Sequence, residues 1–191
     1  SIKTGEPFSE KNKFPDLKSP WTRDGNVFGM IFLKELQTLS IFLQYRELKF
    51  ISEIIEHETG SVPHKIIRLQ GGDINQVYHC FTKNNQLVVK VNIAGKFPNM
   101  FEKEKKGLEL LKPSNFLIPK IFSIGSFRKL DYLILEYIKP GKAINWEKFG
   151  ENLANLHLIT NEKFGLAYDN YIGSINQINT YENNWLNFYT N

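Results

Sequence analysis

Leu87-Val88-Val89-Lys90-Val91-Asn92 is the stretch whose reading decides the fold. Four of its six residues are apolar, three of them β-branched, and a lysine sits among them. Strands buried on both faces read as near-continuous Val, Ile and Leu. An ammonium inside such a strand is costly unless it meets an anion. Lys90 therefore needs a negative partner, or an edge position from which its head reaches water.

Working outward, partners lie on both sides. Upstream, Gly71-Gly72-Asp73-Ile74-Asn75 opens a strand pair, and glycine lets backbone N–H groups face a ligand such as phosphate. The same glycines also suit an ordinary hairpin turn. Downstream, Met100 to Lys112 reads as a helix carrying Glu102 and Glu104. A glycine turn, a strand lysine and a helix glutamate in that order are the parts of the nucleotide half of a kinase-type fold.

The flanking chain supplies the rest of the lobe. Lys65 to Gln70 and Ile74 to Thr82 read as strands, and Lys83-Asn84-Asn85-Gln86 as the hairpin loop into the lysine strand. Ile121 to Phe127 and Tyr132 to Ile138 follow the helix as two further strands. The order is three strands, helix, two strands. Lys139-Pro140-Gly141 then breaks the pattern and suits a link between lobes. Asn145 to Ile159 is an amphipathic helix (Trp146, Phe149, Leu153, Leu156), Lys163 to Gly173 is loop-like, and Tyr181 to Tyr189 begins another helix with Trp185 and Phe188 inward. His157, near the apolar side of its helix, reads as a core histidine, and Trp146 and Trp185 as core residues first. Before the sheet, Phe28 to Leu43 and Leu48 to Glu58 read as two helices, and Ser1 to Asn26, with Pro7, Pro15 and Pro20, as loop. The expected organisation is an extension over 1–45, a nucleotide lobe over 46–138 and part of a helical lobe over 139–191.

Composition narrows the function classes. Of 191 residues 41% are hydrophobic and 14% aromatic, enough for a packed core. The net charge of +4 comes from lysines scattered between acids, so no nucleic-acid stripe is present. Lys103, Lys105 and Lys106, interleaved with Glu102 and Glu104, read as a solvated helix face. A single cysteine, Cys80, excludes an internal disulfide framework or a cysteine-built metal site and fits a reducing compartment. No basic-then-apolar leader opens the chain, and Lys34-Glu35 interrupt its most apolar window. A cytoplasmic protein with no membrane partner is expected.

Taken together, these residues carry a resemblance. From about Glu53 to Asn191 the chain resembles the fructosamine kinase (ketosamine-3-kinase) family, a branch of the aminoglycoside-phosphotransferase and choline-kinase-like fold. The matching runs are GGDIN at 71–75, VVKVN at 88–92, MFEKE at 100–104, KFGENLANLHL at 148–158, and FGLAYDNYIG with NNWLNFY at 164–173 and 183–189. The resemblance implies an α+β, protein-kinase-like fold: a five-stranded antiparallel sheet with one helix, then the beginning of a helical C-terminal lobe. It implies ATP and Mg²⁺ as cofactors. Lys90 would hold the α- and β-phosphates, Glu104 rather than Glu102 would fix its head, and Gly71, Gly72, Asp73, Ile74 and Asn75 would cover the phosphates. Glu136, Tyr137 and Ile138 would be the hinge, with the Glu136 carbonyl and the Ile138 N–H addressing adenine. Trp185 would help wall the sugar-amine site. Asp73 stands where some eukaryotic members carry a cysteine, so no redox switch is expected at that turn.

Relatives place catalysis in a later His-Gly-Asp loop, with an Asn and a metal-binding Asp beyond it. Here His57, His64, His79 and His157 are followed by Glu58, Lys65, Cys80 and Leu158, so none opens that loop. The resemblance thus implies that roughly 100 C-terminal residues, about a small domain, are missing. It also implies that the metal ligands lie there and that this chain alone is inactive. The implied parent activity is phosphorylation of ketosamines in deglycation repair. Two alternatives stay open: a kinase of the same fold acting on an aminoglycoside or choline-like amine, and a non-catalytic nucleotide-binding or interaction module.

Overall fold

The computed structural model describes residues 25–71, 74–141 and 143–190. The loop expected over Ser1 to Asn26 lies almost wholly outside them, as do Gly72 and Asp73 of the glycine turn. The chain divides into two compact units, residues 1–46 and 47–191.

The expected pair of helices before the sheet is corrected to one. α1 runs unbroken over Gly25–Thr59. Between the two predicted segments lie Gln44, Tyr45, Arg46 and Glu47, with no glycine or proline to stop the hydrogen-bond ladder. Within the first unit its apolar side chains are uncovered, Phe32, Leu33, Leu36, Leu39 and Phe42 among them. No helix among the described residues is long and apolar enough to cross a membrane.

The second unit is built on the expected five-stranded antiparallel sheet. β1 (Lys65–Leu69), β2 (Gln76–Phe81), β3 (Gln86–Ile93), β4 (Ile121–Phe127) and β5 (Leu130–Glu136) lie in the order β1-β2-β3-β5-β4. α2 covers Met100–Leu111. The period-2 pattern of β3 divides its side chains between two layers. Leu87, Val89 and Val91 are fully buried with Tyr78, Cys80 and Ile134 against Ile51, Ile54 and Ile55 of α1. Val88 faces the other way, into a cluster of Phe101, Leu133 and Leu135 with Leu108 of α2. The sheet is thus a central layer between α2 and the 47–59 part of α1, and that second covering helix adds to the one expected.

Polar contacts fix α1 on its layer. The Tyr132 hydroxyl donates to Glu58 Oε1 at 2.6 Å. Hydrogen bonds from Ser123, Tyr132 and His57 hold the Glu58 carboxyl below the usual carboxylate range, against the opposing effect of burial. Tyr132 can pass over β4 only because residue 125 is glycine; a Cβ there would lie 2.7 Å from Tyr132 Cζ. At the β4–β5 turn Arg128 takes φ 56° and reaches Glu53 at 3.0 Å.

Beyond the sheet come α3 (Trp146–His157), a hairpin of β6 (Asn170–Ile172) and β7 (Ile175–Gln177), and α4 (Trp185–Thr190). The hairpin replaces part of the predicted loop. The expectation that Trp146, Trp185 and His157 are core residues is corrected. Trp146 is 71% and Trp185 55% exposed, His157 is exposed, and neither α3 nor α4 buries a residue. Amphipathy marks the face a helix can bury, but burial needs an opposing layer, and the described residues supply none here.

Candidate functional site

Lys90 is central, not at an edge: β2 and β5 flank its strand, with Val77 and Leu133 as its cross-strand neighbours. Its Nζ donates to both carboxylate oxygens of Glu104, each at 2.7 Å. Strand alternation sends Lys90 to the α2 side, and Glu104 lies one helical turn from the buried Phe101 that fixes α2 on the sheet. Glu102, the other candidate, is exposed. The side chains of Lys90 and Glu104 keep 23% and 27% of their exposure, so the ammonium is held in place yet open to a further anion.

The glycine turn is tied to the same strand. Gly71 takes φ 108°, where a side chain would be strained. Asn92, two residues beyond Lys90 on the same face, donates through Nδ2 to Asn75 Oδ1 at 2.8 Å and to the Ile74 carbonyl at 3.2 Å. Asn92 was not among the expected site residues. Its signal in the sequence is the register, since a polar side chain at i+2 of a strand lysine shares its side of the sheet.

At the far end of β5, Glu136 N–H donates to the Lys120 carbonyl at 2.8 Å and Tyr137 N–H to the Gln86 carbonyl at 3.2 Å. Among the described residues the Ile138 N–H makes no hydrogen bond, which leaves a donor for a ligand. Tyr137 is stacked on His79 with ring centroids 3.7 Å apart, and His79 Nε2 lies 3.1 Å from Gln86 Oε1. Sequence reasoning missed His79, because its partner is seven residues away across a hairpin.

A cleft of about 540 Å³ opens beside Glu104, lined by Ile74, Asn75, Met100, Lys103 and Tyr171 among others. Trp185 is not among its lining residues; it packs on Phe164, Phe188 and Tyr189. Lys103 and Lys106 do not lie on a fully solvated face: their ammonium groups sit 4.4 Å and 4.8 Å from the ring centres of Tyr171 and Tyr168.

The family model described as fructosamine kinase matches residues 48–191, the whole of the sheet and all that follows it. The chain belongs to the fructosamine kinase family. A probable ketoamine kinase of Enterococcus faecium is 36% identical over 130 residues, 65% of this chain and 44% of that protein. The chloroplastic protein-ribulosamine 3-kinase of Arabidopsis thaliana is 35% identical over 130 residues, 65% of this chain and 40% of that one. The crystal structure of a Haemophilus somnus protein assigned as a fructosamine-3-kinase superposes with a TM-score of 0.64 at 27% identity, covering 75% of this chain and 50% of that chain. The chain spans about half the length of the curated relatives it matches. Lys90, Glu104, Asn75 and residues 136–138 all lie within the segment that the fructosamine kinase model matches.

Proposed function

We propose that this chain holds the nucleotide in an ATP-dependent kinase for ketosamines, phosphorylating fructosamine- and ribulosamine-type adducts on the sugar's 3-hydroxyl and so promoting deglycation. The observation that carries this reading is the two-oxygen grip of Glu104 on a lysine in the middle of the sheet. A carboxylate that holds an ammonium through both oxygens fixes its position, and an ammonium so fixed can meet phosphate without further reorganisation. ATP fits the residues present. Lys90 supplies the cation for the α- and β-phosphates, Gly71, Ile74 and Asn75 the described backbone of the turn over them, and the hinge of Glu136, Tyr137 and Ile138 an N–H, unbonded among the described residues, for adenine.

Mg²⁺ would neutralise phosphate charge. Among the described residues no group of three His, Cys, Asp or Glu side chains could hold a metal. Phosphoryl transfer depends almost wholly on positioning and electrostatics, and the residues above supply the nucleotide's share of it. On this reading the 191-residue chain binds nucleotide but does not by itself transfer phosphate. The partner is a small-molecule or protein-bound ketosamine, with no nucleic acid or membrane involved. A cytoplasmic setting suits the free, buried Cys80.

Two measurements test the reading. Mg·ATP should raise the melting temperature of the chain, and Lys90→Met should abolish the rise. The whole protein, offered fructosyl-lysine, ribulosyl-lysine, choline and kanamycin with labelled ATP, should label the two ketosamines. Labelling of choline or kanamycin alone would move the assignment to another amine-directed kinase. The absence of any Lys90-dependent nucleotide effect would leave a non-catalytic module.

A further inference from the structure

We propose that Tyr171 is a positioning residue: through it the β6–β7 hairpin holds the start of α2 where Glu104 reaches Lys90. This rests on the kinase reading of that ion pair. The need for an external hold is local. Asn99 occupies the N-cap of α2 at φ 58°, and its side chain makes no capping hydrogen bond. Asparagine is a preferred cap because its side-chain oxygen takes a free N–H of the first turn. Here that bond is missing, at the end of the helix nearest Glu104.

The hairpin supplies what the cap does not. The Tyr171 hydroxyl donates to the Pro98 carbonyl at 3.2 Å, just before the helix begins. Its ring meets Phe97 edge-on, with centroids 5.8 Å apart. The face of the same ring takes the Lys103 ammonium at 4.4 Å, and Tyr168 takes Lys106 one turn later. A cation over a ring face is attracted by the ring's quadrupole. Tyr171 therefore grips α2 on both sides of its first turn, with Glu104 the residue after Lys103.

Hydrogen bonds from one buried asparagine tie down the base of the hairpin. Asn179 is 3% exposed; its N–H donates to Asp169 Oδ1 at 2.9 Å, and its Nδ2 donates to Asn170 Oδ1 at 3.0 Å and the Tyr168 carbonyl at 3.2 Å. Gly165, at φ 110°, lets the segment around Asn179 pass: a Cβ there would lie 2.6 Å from the Asn179 carbonyl oxygen. The hairpin follows the hinge in sequence, yet it reaches back to the helix that precedes the hinge. Displacement of the segments after the hinge is thereby passed to Glu104.

The test uses the 191-residue chain with Tyr171→Phe, which keeps the ring, and Tyr171→Ala, which removes ring and hydroxyl. Amide hydrogen exchange over residues 100–104 should quicken roughly tenfold in Tyr171→Ala and roughly threefold in Tyr171→Phe, with β3 unchanged. Affinity for a fluorescent ATP analogue with Mg²⁺ should fall in Tyr171→Ala, and Glu104→Gln should remove any further loss, because the effect runs through Glu104. Unchanged exchange over 100–104 overturns the proposal. So does an affinity loss of equal size with and without Glu104→Gln. Should Tyr171→Ala not fold, Tyr171→Phe and Lys103→Gln carry the same two measurements. If nucleotide binding proves independent of Lys90, the kinase reading fails on its own, and the exchange measurement still decides whether Tyr171 holds α2.

Discussion

Replacing Glu104 by Gln would leave the Lys90 ammonium beside a neutral amide. Breaking a fully buried ion pair costs about 3–5 kcal/mol, and an exposed pair is worth about 0–1 kcal/mol. Lys90 and Glu104 keep 23% and 27% side-chain exposure, and both contacts are 2.7 Å, so the case lies between these limits. About 2 kcal/mol of lost stability is expected, or about 4–8 °C in melting temperature for a unit of this size. Lys90→Met/Glu104→Leu should recover most of that loss, because the cost comes from stranding a charge rather than from losing the attraction. With nucleotide at 100 times its dissociation constant, linkage adds about 2.7 kcal/mol to the wild type. That rise should vanish in Lys90→Met and shrink in Glu104→Gln. Circular dichroism melts with and without Mg·ATP measure both effects. A Glu104→Gln melt within about 1 °C of wild type, together with a full nucleotide rise in Lys90→Met, would refute the reasoning.

Asn92→Ala should weaken nucleotide binding by about 0.5–1.5 kcal/mol, measured calorimetrically, because it frees Asn75 and the Ile74 carbonyl. Gly125→Ala should cost about 1–3 kcal/mol in chemical denaturation, since its methyl displaces Tyr132 from Glu58. The Glu58 carboxyl is held low in the fold, so its contribution is present above the ordinary glutamate range and is lost as pH falls through the folded value. The melting-temperature gap between wild type and Glu58→Gln should therefore close on acidification. Burial pushes the Cys80 thiol up to about 12, so a thiol reagent at neutral pH should label it only as fast as the chain unfolds.

The sheet and its lysine were legible because strand and helix periods are local properties, and because one buried charge in an apolar run demands a partner. Spacing along β3 put Asn92 on the same side as Lys90, but only strand pairing brought its partners Ile74 and Asn75, 18 and 17 residues away, within reach. His79 beneath Tyr137 and Tyr171 beside Lys103 belong to the same class of contact, made between segments far apart in sequence.

The apolar faces of α3 and α4 mark the converse case. Their periodicity is plain in Trp146, Phe149 and Leu153, yet all three stand exposed. The sequence by itself determined the five strands of the sheet and α2, the candidate lysine and the two glutamates that could answer it. Only the tertiary structure put Lys90 on a central strand, set the Glu104 carboxylate against its ammonium and brought the hairpin onto α2. Those outcomes depend on which layers meet, and a side chain's energy is settled by the neighbours that packing brings to it.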